Sequence, residues 1–472
     1  MLNPAPIPVW AAMPFFILLA AIAVGPLVNK HWWARAYPAV SVGLGILTIG
    51  YYVVFLRSPG PVLESGFEYF SFIVLIGSLF VIAGGLHIKL RGRSRPLSNA
   101  VFLAIGALVS NLVGTTGASM ILIRPYLRVN HYRIKPYHVI FFIFIVSNIG
   151  GALTPIGDPP LFVGYLKGVP FFWPIANLWY IWLFAVAVIL VVFYFIDRRA
   201  FRRLSLSEQH LAEDLHEHSE VTGLHNILFL AIVLAAVFVS HPPFLREAMM
   251  IAAAVGSYLT TPREIHKKND FDFGPIKEVA ILFFGIFATM VPALDWIRMN
   301  SASFGFQRAG QFYWSSGALS SVLDNTPTYL NFLSAALGSF VSEGVVRQIN
   351  NVVQLHGMAF SAIAQNYTPD VQNTLSRLVT YYPRLVATRA LTPDQIATMY
   401  LLSNNQIIVQ AISIGAVFFG AMTYIGNGPN FMVKSIAEQA GAKCPSFVTY
   451  IIKYTMPILL PLFFLIWILF FR

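Results

Sequence analysis

Two carboxylates stand where apolar sequence is interrupted. Asp158 lies within GALTPIGDPPLF, residues 151–162, and Asp324 within LDNTPT, residues 323–328. Sharing the interrupted stretches with them are Thr115, Thr116, Asn148, Thr154, Asn325, Thr326, Thr328, Thr423, Asn427 and Asn430. All of these side chains offer oxygen, the ligand type that suits a hard cation such as Na+. A charged carboxylate at bilayer depth costs roughly 3 kcal/mol or more unless it is matched, so its presence points to function. The Na+ ligands expected here are Asp158, Asp324, Thr154 and Thr326. Na+ and a proton would compete for the same carboxylate oxygens, which by itself gives exchange. The structural alternative for either aspartate is a cap on a helix that starts at the break.

The first stretch recurs. GAMTYIGNGPNF, residues 420–431, matches it at seven of twelve positions, including Thr154/Thr423, Gly157/Gly426 and Pro160/Pro429. The two glycines let the backbone take open dihedrals, and the prolines lack an N–H that would need a partner where a helix unwinds. Asn427 stands where the first copy has Asp158. Geometry is kept and charge is varied. Backbone carbonyls freed at such breaks suit cations, and freed N–H groups suit anions, so a central polar cavity is expected.

The elements that must hold these residues are membrane helices. Residues AVILMFWYC make up 57% of the 472 and only 11% are charged. Apolar windows of about 20 residues, enough to cross a bilayer, recur along the whole chain. The opening one, near Val9 to Val28, has no basic residue before it and no small-residue cleavage site, so a retained helix is expected rather than a signal peptide. One cysteine, Cys444, excludes an intrachain disulfide framework and a thiolate metal site. The net charge of +11 sits in short loops between apolar spans, which is the positive-inside pattern and not a nucleic-acid surface.

Basic clusters follow the spans in order: Lys30 and Arg35; Lys89, Arg91, Arg93 and Arg95; Arg124, Arg128, Arg133 and Lys135; Arg198, Arg199, Arg202 and Arg203; then Arg263, Lys267, Lys268 and Lys277. Placing them all in the cytoplasm puts the N-terminus outside. The stretch 98–123 then begins and ends on the cytoplasmic side. It must enter and return, with its reversal near VGTTG at 113–117, where Gly and Thr suit a re-entrant tip. The segment 304–338 does the same from the outside around LDNTPT. Each half thus reads span, re-entrant hairpin, interrupted span, span, in opposite orientations. That predicts an all-α polytopic membrane protein with an inverted-topology repeat and about 10–11 spans, an arrangement associated with secondary transport. The expected divisions are N-terminal spans (1–66), a first transport repeat (67–196), a cytoplasmic linker (197–223), connecting spans (224–277) and a second repeat (278–472) that carries an outer insertion at 341–397. The linker's SEQHLAEDLHEHSE is expected to be a solvated helix. Lys167 and Lys434, near the ends of the motifs, are expected to be interface anchors.

SNIGGALTPIGDPP, DNTPTYL and GAMTYIGNGPNF, in that order, resemble the ion transporter superfamily. That group includes sodium/proton antiporters of the NhaD type, divalent-anion/sodium symporters, citrate–metal transporters and arsenite permeases. TPIGD at 154–158 is most similar to the NhaD type, whose aspartate belongs to the ion pathway, and the DN-P-T pattern at 324–328 is similar to the arsenite-permease branch. The symporter branch has Ser-Asn-Thr at each hairpin tip. Here Ser110 and Asn111 are followed by Leu112, and the second tip reads Asp324-Asn325-Thr326. The resemblance implies a homodimer and an elevator-like movement of the hairpins and broken helices in a bacterial inner membrane.

The reading that combines charge and resemblance is a Na+/H+ antiporter working by alternating access, with Na+ and H+ as its ions and no cofactor. The two aspartates would oppose a multiply charged anion unless cations bound first. A cation-coupled citrate or dicarboxylate carrier is the alternative, with an arsenite or other oxyanion exporter behind it. The motifs contain no nucleophile–base constellation that would suggest an enzyme.

Overall fold

The computed structural model describes residues 8–89, 94–204, 220–239, 242–269, 271–300, 303, 305–358 and 366–472. The segment SEQHLAEDLHEHSE, apart from its last residue, lies outside the described residues. The described residues are helical, with one antiparallel ribbon among them that pairs β1 (His87–Lys89) with β2 (Glu220–Thr222).

Helices α1 (Met13–Val28), α2 (Lys30–Gly50) and α3 (Gly60–Gly84) pack with α8 (Asn226–Ala236), α9 (Leu245–Thr260) and α11 (Gly274–Asn300) around one apolar core. Phe72 and Phe283 stack in it at 4.7 Å. Short polar ties fix the register of this scaffold. Ser65 donates to the Phe287 carbonyl at 2.7 Å and Tyr69 to that of Ala280 at 2.9 Å. Between α9 and α11 lies the short α10 (Arg263–Lys268).

A second, larger core joins α4 (Pro96–Val129), α5 (Pro136–Ile145), α6 (Pro159–Leu166), α7 (Trp173–Phe201), α12 (Ala309–Ser320), α13 (Asn325–Phe340), α18 (Gln406–Phe419), α19 (Gly428–Gln439) and α20 (Phe447–Phe471). Helix α4 folds back on itself at Gly114, whose φ of 78° no residue with a Cβ adopts readily. The proof is at its ends. Asn99 donates to Asn130 at 2.7 Å and Phe102 stacks on Tyr126 at 5.2 Å, whereas a straight helix would hold residues 31 apart roughly 46 Å from each other. Helices α12 and α13 form the matching hairpin, with Phe312 and Phe340 6.1 Å apart.

The base of the first hairpin and the start of α18 lie at opposite ends of α7. The base of the first sits at its C-terminal end, where Asn99 reaches Asp197 at 3.1 Å. At the other end Gln406, just beyond the segment that follows the second hairpin, donates to Asn177 at 2.7 Å. Those two points on α7 are about 30 Å apart, the thickness of a bilayer's hydrocarbon core.

Helices α14 (Glu343–His356), α15 (Pro369–Tyr381), α16 (Pro383–Ala387) and α17 (Pro393–Asn404) form a small cap with its own apolar core, which includes Ile349, Leu375, Leu378 and Ile396. The chain bends by 85° into the cap and by 102° out of it. The cap therefore runs on to Asn404, past the 397 expected as the end of the outer insertion. Asn405 breaks the helix with φ −137° and ψ 41°.

Among the described residues six helices are long and apolar enough to cross a membrane, or eight if each bent pair counts as one span, against the 10–11 expected. The shortfall has a physical origin. α5 and α6 are halves of one interrupted segment, and α8 and α9 are short. Other boundaries shift as well: α3 starts at Gly60, inside the expected N-terminal unit, and α7 runs on to Phe201, beyond the expected start of the linker.

Arg133 was expected in a solvated basic loop. It is 5% exposed and ion-paired with the fully buried Asp197. Asp197 also accepts from Tyr137 at 2.7 Å, and His138 lies 3.3 Å from it. The Arg133 Nε donates to the Ser94 carbonyl at 2.7 Å. This knot closes the base of the first hairpin onto α5 and α7.

Candidate functional site

Asp158 is the meeting point of all four interrupted segments. It precedes α6 with extended backbone (φ −139°, ψ 138°) and makes no side-chain capping bond. Its carboxylate turns to the other motifs instead. It accepts from Thr115 Oγ1 of the first hairpin at 2.9 Å, from Asn325 Nδ2 of the second at 3.0 Å and from Asn427 Nδ2 of the second break at 3.4 Å. The residue is fully buried, and none of these three partners is cationic. A buried charge with only neutral donors calls for a cation or a proton.

Asp324 behaves differently. It caps α13, accepting the Thr326 amide at 3.0 Å, while its carbonyl takes the Thr328 hydroxyl at 3.1 Å. The capping role weighed from sequence thus belongs to Asp324 and not to Asp158. Asp324 directly precedes Asn325, so its charge stands at the edge of the same site.

The two breaks are built alike. Thr154 donates to the carbonyl of Asn111 at 2.6 Å and accepts the Gly157 amide at 3.0 Å; Thr423 donates to the carbonyl of Ser321 at 2.6 Å and accepts the Gly426 amide at 3.0 Å. Ser110 reaches the Val146 carbonyl at 2.7 Å, as Ser320 reaches that of Ala416 at 2.5 Å. Trp182 donates to the Gly150 carbonyl at 3.0 Å, and Tyr450 to that of Ala421 at 2.6 Å. These contacts set the register between the hairpins. Ser110-Asn111 corresponds to Ser320-Ser321, and Thr115 to Asn325. Ser320, Trp182 and Tyr450 were not found from sequence. The doubled serine at 320–321 was the available signal for the first; the two aromatics sit in uninterrupted spans that carry none.

The glycines allow close approach of backbones. A Cβ on Gly426 would lie 2.6 Å from the Gly420 carbonyl oxygen and 3.0 Å from that of Ser320. The same is true of Gly157 against Gly151. Gly426→Ala is expected to destabilise the protein by about 1–3 kcal/mol through overpacking against backbone, read as a lower melting temperature in detergent.

Around Asp158 the polar side chains of the breaks are bonded to one another. Asn148 donates to Asn430 at 2.6 Å and accepts from Asn427 at 3.2 Å, and Asn430 holds the carbonyls of Gly420 and Thr423 at 2.8 Å each. Asn111 donates to the Gly150 carbonyl at 2.6 Å and accepts the Leu153 amide at 2.9 Å. The Thr154 and Thr423 hydroxyls are committed to backbone, so of the four expected Na+ ligands Thr154 is turned toward the hairpin tip. Thr326 is fully buried beside Asp324. Thr116 is half-buried and lines a small, mainly apolar cavity between α3 and the first tip, bounded also by Leu75, Leu79, Phe80, Val113 and Phe162. Its volume is about 30 Å³, room for little more than water.

Neither lysine is a simple anchor. Lys434 pairs with Glu438 at 3.4 Å and lies 5.2 Å over the Tyr424 ring. Lys167 lies 2.6 Å from Glu68, 3.5 Å from Asp394 and 3.6 Å from Glu64.

A sequence model of the family described as "Putative citrate transport" matches residues 5–471. No curated protein matches the chain.

Proposed function

Because the chain belongs to the family of that description, a branch of the ion transporter superfamily, we propose that it is a secondary transporter that carries citrate or a related carboxylate together with a cation. Asp158 carries this reading. It is the one carboxylate that all four broken segments share, and a cation there would neutralise the centre before an anion enters. In this reading Asp158 holds the cation, Na+ or H+, and Thr115, Asn325 and Asn427, which donate to its carboxylate, fix that carboxylate in place. Citrate would enter by movement of the hairpins, in the elevator-like manner the resemblance implies.

The halves are inverted in the membrane in this proposal, with both hairpins re-entrant. The matching contacts of the two hairpins with the two breaks support it. The basic loops support an N-terminus outside a bacterial inner membrane, and the resemblance supports a homodimer.

A Na+/H+ antiporter is the second reading. It is favoured by the lack of any cationic partner for Asp158 and by Asp324 beside it. One experiment separates the two. Labelled citrate is offered to proteoliposomes with Na+, with an inward proton gradient, and with neither; in parallel, Na+ or Li+ is added to inside-out vesicles that hold a proton gradient. Cation-dependent citrate uptake is expected. Collapse of the proton gradient by Na+ without citrate, together with no citrate uptake, would establish the antiporter instead.

A further inference from the structure

The cap grips the helix that carries Asp158. Helix α6 has Asp158 immediately before it and Lys167 immediately after it, so it is a rod of about 12 Å between the buried site and the cap. Its C-terminal end closes through Gly168 (φ 95°), with the Gly168 amide donating to the Tyr165 carbonyl at 3.1 Å and the Val169 amide to that of Gly164 at 2.9 Å. Two carbonyls beyond that turn still need partners, and the cap supplies both. Thr398 Oγ1 of α17 donates to the Lys167 carbonyl at 2.6 Å, and the Tyr382 hydroxyl donates to that of Gly168 at 2.9 Å. The approach is close enough that a Cβ on Gly168 would lie 2.8 Å from the Cα of Gln395.

The side chain of Lys167 adds a third element. It joins Glu68 and Glu64 of α3 in the scaffold to Asp394 in the first turn of α17. Lys167 is 21% exposed and Glu68 11%, so their 2.6 Å contact is shielded from water more than an ordinary surface pair. Backbone carbonyls and charge therefore hold the same turn from two sides. The cap has its own core, and so it grips as a folded body.

We propose that the insertion is a clamp on α6, with Lys167 as a positioning residue. Through the α6 rod the clamp keeps Asp158 in register with Thr115, Asn325 and Asn427. The inference rests on the assignment of Asp158 to the cation, and goes beyond it by giving the insertion a role in that site.

The test compares wild-type protein with Thr398→Ala, Tyr382→Phe, Lys167→Met and Lys167→Arg, each purified and reconstituted at full length. The two hydroxyl deletions are mild, so they decide the matter even where Lys167→Met folds poorly. Backbone hydrogen exchange is followed by mass spectrometry over residues 158–168, without substrate, and the half-saturating cation concentration for transport is measured beside it. Loosening the clamp is expected to speed exchange in this segment and to raise the half-saturating cation concentration about fivefold, with maximal rate little changed. Lys167→Arg is expected to restore both. Unchanged exchange in Thr398→Ala and Tyr382→Phe, or faster exchange with an unaltered cation requirement, overturns the clamp. Exchange needs no citrate. A wild-type protein that moves no citrate would therefore count against the carrier and leave the clamp to be judged on α6.

Discussion

Replacing Asp158 by Asn is expected to abolish coupled transport while leaving the protein folded. The amide keeps the size of the carboxylate, and its oxygen can still accept from Thr115 at 2.9 Å or from Asn325 at 3.0 Å. What it loses is the charge, and with it the charge-assisted hold on a cation. Loss of such an interaction is worth roughly 3 kcal/mol, which is about a hundredfold in affinity. Cation-dependent uptake should fall by at least that factor. The melting temperature should hold or rise, because the variant no longer buries a group that asks for a counter-ion. Uptake within a few-fold of wild type would remove Asp158 from the cation site. Asp324→Asn is the useful contrast. Its amide oxygen can still cap α13, so a loss of transport there would show that the charge of Asp324 matters beyond its cap.

Arg133→Ala is expected to cost about 3–5 kcal/mol of stability, because it leaves Asp197 buried without a counter-charge. The groups left around it are the neutral donors Tyr137 at 2.7 Å and Asn99 at 3.1 Å, with the buried His138 at 3.3 Å. The same change also removes the guanidinium bonds to Ser94 that tie down the entry to the first hairpin. Melting in detergent should fall by several degrees and the yield of monodisperse protein should drop. The double variant Arg133→Met, Asp197→Leu should recover much of the loss, since an apolar pair of similar volume removes the unpaired charge. A double variant as unstable as the single one would mean that the knot stabilises through its shape and not its charge.

The breaks were legible because Pro and Gly interrupt runs of Phe, Ile and Leu, and few other patterns place TPIGD or YIGNGP inside apolar sequence. The repeat of Thr154 and Gly157 as Thr423 and Gly426 was legible for the same reason. Both pairs serve one steric arrangement, which allows little substitution. Arg133 was not legible. Counting charges near the ends of apolar stretches treats every arginine as solvated, and only the packing of α4, α5 and α7 shows Asp197 beneath it. The hairpin register was hidden because the second tip offers Ser320-Ser321 where the first has Ser110-Asn111, and chain alignment alone gives no reason to pair Thr115 with Asn325. The cap was hidden too, because four short amphipathic helices between spans look like a polar loop until Leu375, Leu378 and Ile396 are seen to share a core. Substrate choice lay deeper still. Oxygen ligands around a carboxylate suit an exchanged ion and a coupling ion equally well.

Asn427 gives the centre a handedness that its matched contacts alone would not. Two breaks of equal shape, each with an aspartate, would offer an ion two degenerate positions, with equal occupancy and no fixed order of loading. With the amide at Asn427 donating to Ser147 at 3.2 Å and toward Asp158 at 3.4 Å, one position keeps the charge and the other becomes its donor. The degeneracy is lifted. Under the proposed role of Asp158, a single monovalent ion would suffice to neutralise the pair, and the sequence of binding events would acquire a defined first step.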